Sequence, residues 1–150
     1  MKPWERWTFG LLSLVVAVSG FAYFGMKNLM ASADPFALVN HPWQPLMLHV
    51  HVLASPPLVL VFGIVLNSHI MRKLRATRVE NRKSGLASLV TFGAMVASGY
   101  LLQVVTSEAW LGSLVVLHVA SGVVFSAAYV AHLLISVRLA RAWASVREVA

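Results

Sequence analysis

The sequence predicts an all-α fold: a four-transmembrane-helix bundle with N and C termini cytoplasmic. Three observations predict it. Hydrophobic residues make up 59 % of the 150 residues and charged ones only 11 %, against roughly 25 % charged in a soluble domain. Four apolar stretches are each long enough to cross a hydrocarbon core of about 30 Å, which takes roughly 20 helical residues. Eleven of the twelve Lys and Arg fall on one side of those stretches, as the positive-inside pattern requires. A water-soluble monomer is excluded, because so few charges do not cover the surface of a small globule. One integral membrane domain over residues 1–150 is expected, in a cytoplasmic (inner) membrane.

Each span is expected to be helical, since an open strand leaves backbone groups unpaired in lipid. The first covers about 7–26. The run Ala31-Ser32-Ala33 after it looks like a signal cleavage site. The apolar stretch is longer than a signal h-region of about 7–15 residues, so it reads as a retained membrane helix. The second covers about 46–71 and contains Pro56-Pro57. Prolines remove hydrogen bonds and kink helices, so a kink is expected there. The third, about 85–105, is the leanest. The fourth covers about 109–137. The second and fourth exceed the length needed, which implies tilt or protrusion. The tail after Val137 reads as a short basic amphipathic continuation, a solvated helix end in preference to a segment lying on the membrane surface.

Lys2 and Arg6 precede the first span. Arg72, Lys73, Arg75, Arg78, Arg82 and Lys83 lie between the second and third, and Arg138, Arg141 and Arg147 follow the fourth. The other side carries only Lys27. The net charge of +7 is therefore a topology signal and not a nucleic-acid footprint. The 27–45 connection is exterior. Trp4, Trp7, Trp43, Trp110 and Trp143 lie near span ends, as in an aromatic belt. No internal repeat, low-complexity tract or nucleotide-binding glycine motif is visible.

There is no cysteine, which excludes disulfides, iron–sulfur clusters, thiolate metal sites and covalent c-type haem. Chemistry then falls to six histidines. His41 sits in the exterior connection and reads as a polar loop residue. His49, His51, His69, His118 and His132 all fall in the second and fourth spans. Ionisable side chains inside a bilayer are costly and mark functional sites.

His118 and His132 are separated by two heptads. At about 100° and 1.5 Å per residue they share a face and lie about 21 Å apart. Ser121, Gly122, Phe125 and Tyr129 lie on the same stripe. His51 and His69 are 18 apart, a net rotation of about 0° and a separation of about 27 Å. His49 and Asn67 form a second pair on the opposite face. Counted from the basic boundaries at Arg72 and Arg138, His51 is level with His118, and His69 is roughly level with His132. A kink at Pro56-Pro57 would shorten the longer separation, or turn His49 rather than His51 inward.

Two levels of paired neutral imidazoles across a helical bundle suit six-coordinate haem b, whose apolar macrocycle packs in the core. Gly122, one turn from His118, removes a side chain where a flat macrocycle approaches; close helix packing is its other reading. The runs LHVASGVVFSAAYVAHLL and LHVHVLASPP…NSHI resemble those of the di-haem cytochrome b proteins of respiratory membranes. The resemblance covers roughly residues 46–137. It implies four axial ligands to haem iron, His51 with His118 at the exterior level and His69 with His132 at the interior level. It further implies transmembrane electron transfer through two haems b by a membrane subunit of a larger respiratory or photosynthetic redox complex, without a catalytic domain of its own. The implied partners are a periplasmic multihaem cytochrome c, an iron–sulfur or flavin subunit, or quinone, besides membrane lipid.

Arg72, Lys73 and Arg138 are candidate partners for interior propionates, or face lipid headgroups. His49, Tyr100 and Gln103 form a possible quinol site, with His41 and Glu108 nearby; interhelical hydrogen bonding is the plainer reading of Tyr100 and Gln103. Besides a purely structural anchor, three alternatives stand beside the di-haem reading. One is a quinol-oxidising anchor with a single haem. A second is a zinc or copper site built from His41, His49 and His51. The third is a proton-coupled transporter, against which stands the lack of any acidic residue deep in a span.

Overall fold

The computed structural model describes residues 1–149 except 33, 35 and 77–81. Arg78 and Ala33 therefore lie outside the described residues, as do the side chains of Arg82, Trp143 and Arg147. Every regular element among the described residues is helical. Four helices are long and apolar enough to cross a membrane, over Pro3–Asn28, Gln44–Lys73, Lys83–Val104 and Glu108–Leu139. This is the pattern of a multi-pass membrane protein. The chain divides into two compact units, Met1–Arg75 and Ala76–Ala150.

The first unit is a hairpin of α1 (Pro3–Asn28) and α2 (Gln44–Val65). Helix α1 begins earlier than its apolar stretch because its start is built for a helix. Pro3 occupies the first turn, where its missing N–H costs nothing. The Glu5 carboxylate accepts the Lys2 backbone N–H at 2.8 Å. The Asn40 side chain closes the far end of α1, donating to the Lys27 carbonyl at 2.9 Å. Gln44 fixes the entry to α2 by accepting the Asn40 backbone N–H at 3.1 Å.

Helix α2 runs unbroken through Pro56 and Pro57. Its departure from α geometry comes later, as a π-helical turn over Leu66–Ile70, followed by the short α3 (Met71–Arg75). This irregular turn, not expected from the sequence, lies at His69, where i→i+5 bonds replace i→i+4 bonds. Between α1 and α2 the packing centres on Phe9 and Phe62, with ring centroids 6.1 Å apart, and on Leu58, Val61 and Val65, all buried.

The second unit pairs α4 (Arg82–Val104) with α5 (Glu108–Val149). The turn between them is tight. The Ser107 carbonyl accepts the N–H groups of Trp110 and Leu111 at 3.1 and 3.0 Å, so α5 starts immediately. Phe92 meets Phe125 edge-on at 5.3 Å, and Tyr129 stacks on Phe125 at 5.8 Å. Helix α5 has 42 residues, about 63 Å at 1.5 Å per residue. It therefore continues beyond any hydrocarbon core, and the basic tail is its last turns.

Serines in these spans do not break the helices, because their hydroxyls bond carbonyls three or four residues back. Ser19, Ser88, Ser121 and Ser126 all do so. Trp4, Trp7, Trp43 and Trp110 are exposed, as ring systems at a lipid–water boundary are.

Candidate functional site

In the first unit His51 reaches from α2 to the backbone of α1. Its Nδ1 lies 2.9 Å from the Val16 carbonyl oxygen. A carbonyl only accepts, so Nδ1 carries the proton and donates. In the neutral ring this leaves the lone pair on Nε2, the form that ligates a metal. The ring lies against Gly20, where a Cβ would fall 2.7 Å from its Cε1 and 2.8 Å from its Nδ1. The absence of a side chain at Gly20 is what lets the imidazole reach the Val16 carbonyl.

The second unit repeats the device. His118 on α5 places Nδ1 3.0 Å from the Met95 carbonyl oxygen of α4 and 3.2 Å from Ser98 Oγ. Its ring lies against Gly99, where a Cβ would fall 2.9 Å from Cε1. In both units the accepting carbonyl precedes the glycine by four residues, and the glycine sits in a Ser-Gly-aromatic run, Ser19-Gly20-Phe21 or Ser98-Gly99-Tyr100. Ser98 is fully buried and donates to the Ala94 and Met95 carbonyls.

His132 also rests on α4. Its Nδ1 lies 3.1 Å from Ser84 Oγ, and a Cβ on Gly85 would lie 3.5 Å from its Cε1. The spacing from Gly85 to Gly99 equals that from His118 to His132, two heptads in each case. The two antiparallel helices thus stay in register from one histidine level to the other. The shared face read from the histidine spacing is seen directly, because both rings meet α4.

His69 is half-buried within the π-helical turn. A π turn advances through a smaller angle per residue than an α turn, so His69 lags the position that an unbroken helix would give it. The lag has the same sign as the offset of about −40° that two heptads of α-helix give His132 relative to His118. Beside it, Ser68 Oγ donates to Glu5 Oε2 at 2.9 Å, tying the π turn to the start of α1. Glu5 is buried. Sequence reasoning missed this carboxylate because it sits at the edge of the first apolar stretch.

A correspondence between the units also escapes inspection of the sequence. Phe62 precedes His69 by seven residues and Phe125 precedes His132 by seven. Phe125 follows His118 by seven, whereas Phe62 follows His51 by eleven. On the opposing helices Gly99 follows Phe92 by seven, and Gly20 follows Phe9 by eleven. The first hairpin is therefore longer by one helical turn in both helices, and Pro56-Pro57 falls within that longer segment. The signal in the sequence is the repeated Ser-Gly-aromatic run; the unequal spacing hides it.

The remaining candidates are placed differently. His49 is exposed, on a different side of α2 from half-buried His51. His41 Nδ1 accepts the Trp43 backbone N–H at 3.1 Å, the reverse of the role that Nδ1 plays in His51. Tyr100 and Gln103 are exposed on α4, and the Gln103 amide donates to the Gly99 carbonyl at 3.4 Å. Gly122 faces α4, where a Cβ would lie 3.8 Å from Met95 Sδ, an ordinary packing distance. Arg72, Lys73 and Arg138 are exposed. Among the described residues no group of three or more His, Asp or Glu is placed to hold a bare metal ion. Comparison with protein-family models, with curated proteins and with solved structures returns no match to the chain.

Proposed function

We propose that this chain is a membrane electron-transfer subunit that binds two haems b through His51, His118, His69 and His132. The residues that would hold them are His51 with His118 for one haem and His69 with His132 for the other. The observation that carries the reading is the tether found in both units. A histidine in an apolar span donates Nδ1–H to a carbonyl of its neighbouring helix, which leaves Nε2 in the ligating form. Metal-bound histidines almost always make such a second hydrogen bond, which fixes the tautomer and the ring plane. Haem fits this donor set better than a bare cation does, because it needs only two protein ligands per iron and buries an apolar ring. When bound, each haem would supply a one-electron redox centre. The tethers and glycines hold the imidazoles in place, and the apolar helices exclude water from them.

His51 is the ligand rather than His49. The ring of His51 is seated against Gly20, whereas His49 is exposed. The excess of Lys and Arg at the termini and between the second and third spans supports an orientation with these segments cytoplasmic, in a cell inner membrane. A reporter fused after Ala150 is expected to read out as cytoplasmic, and one inserted after Ser32 as exterior. The opposite pattern would reverse the assignment of the two haem levels. The exterior connection, with its His41-Pro42-Trp43 turn and few charges, is the docking surface for a redox partner, a multihaem cytochrome c or an iron–sulfur or flavin subunit. Quinone is the alternative electron donor or acceptor.

The test is a reduced-minus-oxidised absorption spectrum of the purified chain before and after acidic acetone. A b-type spectrum that is lost completely on extraction is expected, because no cysteine is present to retain the haem. Absence of any haem band would overturn the reading and return the chain to the transporter or anchor class.

A further inference from the structure

His51 and His118 are tethered to main-chain carbonyls, which no substitution removes. His132 differs. Its Nδ1 partner is the Ser84 hydroxyl, at 3.1 Å, on the first turn of α4. A hydroxyl both donates and accepts, so this tether does not by itself dictate which ring nitrogen carries the proton. When Nε2 is committed to iron, Nδ1 must carry the proton, and Ser84 Oγ becomes the acceptor. An acceptor at Nδ1–H raises the basicity of the imidazole. A more basic ligand favours the ferric state, and second-shell hydrogen bonding is one of the levers that set a haem's potential.

We infer that Ser84 is a positioning residue that sets the ring plane and ligand strength of His132, and thereby the potential of the haem ligated by His69 and His132 alone. The inference rests on the haem reading above. The local packing gives it room to act. A Cβ on Gly85 would stand 3.5 Å from the His132 ring, whereas Gly20 and Gly99 hold their rings more closely. Of the three rings seated against a glycine, that of His132 is the least closely held by it. Ser88, one turn further along α4, donates to the Ser84 carbonyl at 2.9 Å and serves as the control.

The experiment is a potentiometric titration of the detergent-solubilised full chain, followed by optical and low-temperature electron paramagnetic resonance spectra. Ser84→Ala is expected to raise the midpoint of one haem by about tenfold in the ferric-to-ferrous equilibrium, about 59 mV for a one-electron couple. It is also expected to change the low-spin signal of that haem, with the other haem unchanged. Ser84→Thr restores a hydroxyl and is expected to return both readouts to wild-type values, and Ser88→Ala is expected to leave them unmoved. A Ser84→Ala protein that keeps two haems with wild-type potentials and signals overturns the inference while leaving the haem reading intact. An equal shift in Ser88→Ala, or in both haems, also overturns it. A wild-type chain without haem overturns both, and is told apart by the first spectrum.

Discussion

His118→Ala is expected to remove one of the two haems and to leave the other with its wild-type spectrum. His51→Ala should remove the same component, because the two imidazoles are proposed as ligands of one iron. His69→Ala and His132→Ala should both remove the second component. Each proposed ligand is a half-buried imidazole with no histidine close by in its helix to replace it, except at His51, where His49 lies two residues away. The decisive pair is therefore His49→Ala and His51→Ala. His49 is exposed, and His51 is held by the Val16 carbonyl and Gly20, so His49→Ala should retain both haems. The measurement is haem content per chain resolved into two components by redox titration. Loss of a haem in His49→Ala with retention in His51→Ala would show that the face of α2 has been misassigned.

The second large effect is expected from single methyl groups at glycines. Gly20→Ala would place a carbon 2.7 Å from the His51 ring, and Gly99→Ala would place one 2.9 Å from the His118 ring. Neither distance is tolerated, so the ring must leave its carbonyl or the helices must part. Overpacking of this kind costs about 1–3 kcal/mol, against which alanine gains up to about 1 kcal/mol over glycine in helix propensity. Both variants should lose the haem proposed for His51 and His118 at a lower temperature than wild type, with Gly20→Ala the more severe. Gly85→Ala meets the His132 ring at 3.5 Å, and Gly122→Ala meets Met95 Sδ at 3.8 Å; both should behave almost as wild type. Gly63→Ala meets nothing within 4 Å and should be neutral. Thermal ramps that follow the haem spectrum would rank the five variants. A ranking unrelated to these distances would show that the rings do not rest on the glycines.

The spans are legible because hydrophobicity averaged along a helix-length segment is a local property. Their ends are less so. Helix α1 begins at Pro3 through Pro3 and the Glu5–Lys2 hydrogen bond, which hydropathy does not register, and α5 continues to Val149 after the apolar stretch ends. The common face of His118 and His132 is legible because α5 is regular between them. His51 and His69 are harder: the sequence draws attention to Pro56-Pro57, whereas the structure puts its irregular turn at Leu66–Ile70. No period within one helix announces that turn. The seats of the histidine rings are illegible for a different reason. Val16, Gly20, Met95, Gly99 and Ser84 act through the register of two antiparallel helices, and each looks alone like ordinary packing in a membrane helix. The Glu5–Ser68 hydrogen bond joins residues far apart in the chain and is likewise a product of the hairpin.

The central claim is that four histidines at two levels hold two haems in one chain. It is tested most directly by the ratio of acid-extractable haem b to polypeptide in the purified wild-type protein. The account predicts two haems per chain, resolved as two components in a redox titration. A ratio of one would contradict the two-level arrangement, and a ratio of zero would contradict the cytochrome reading itself.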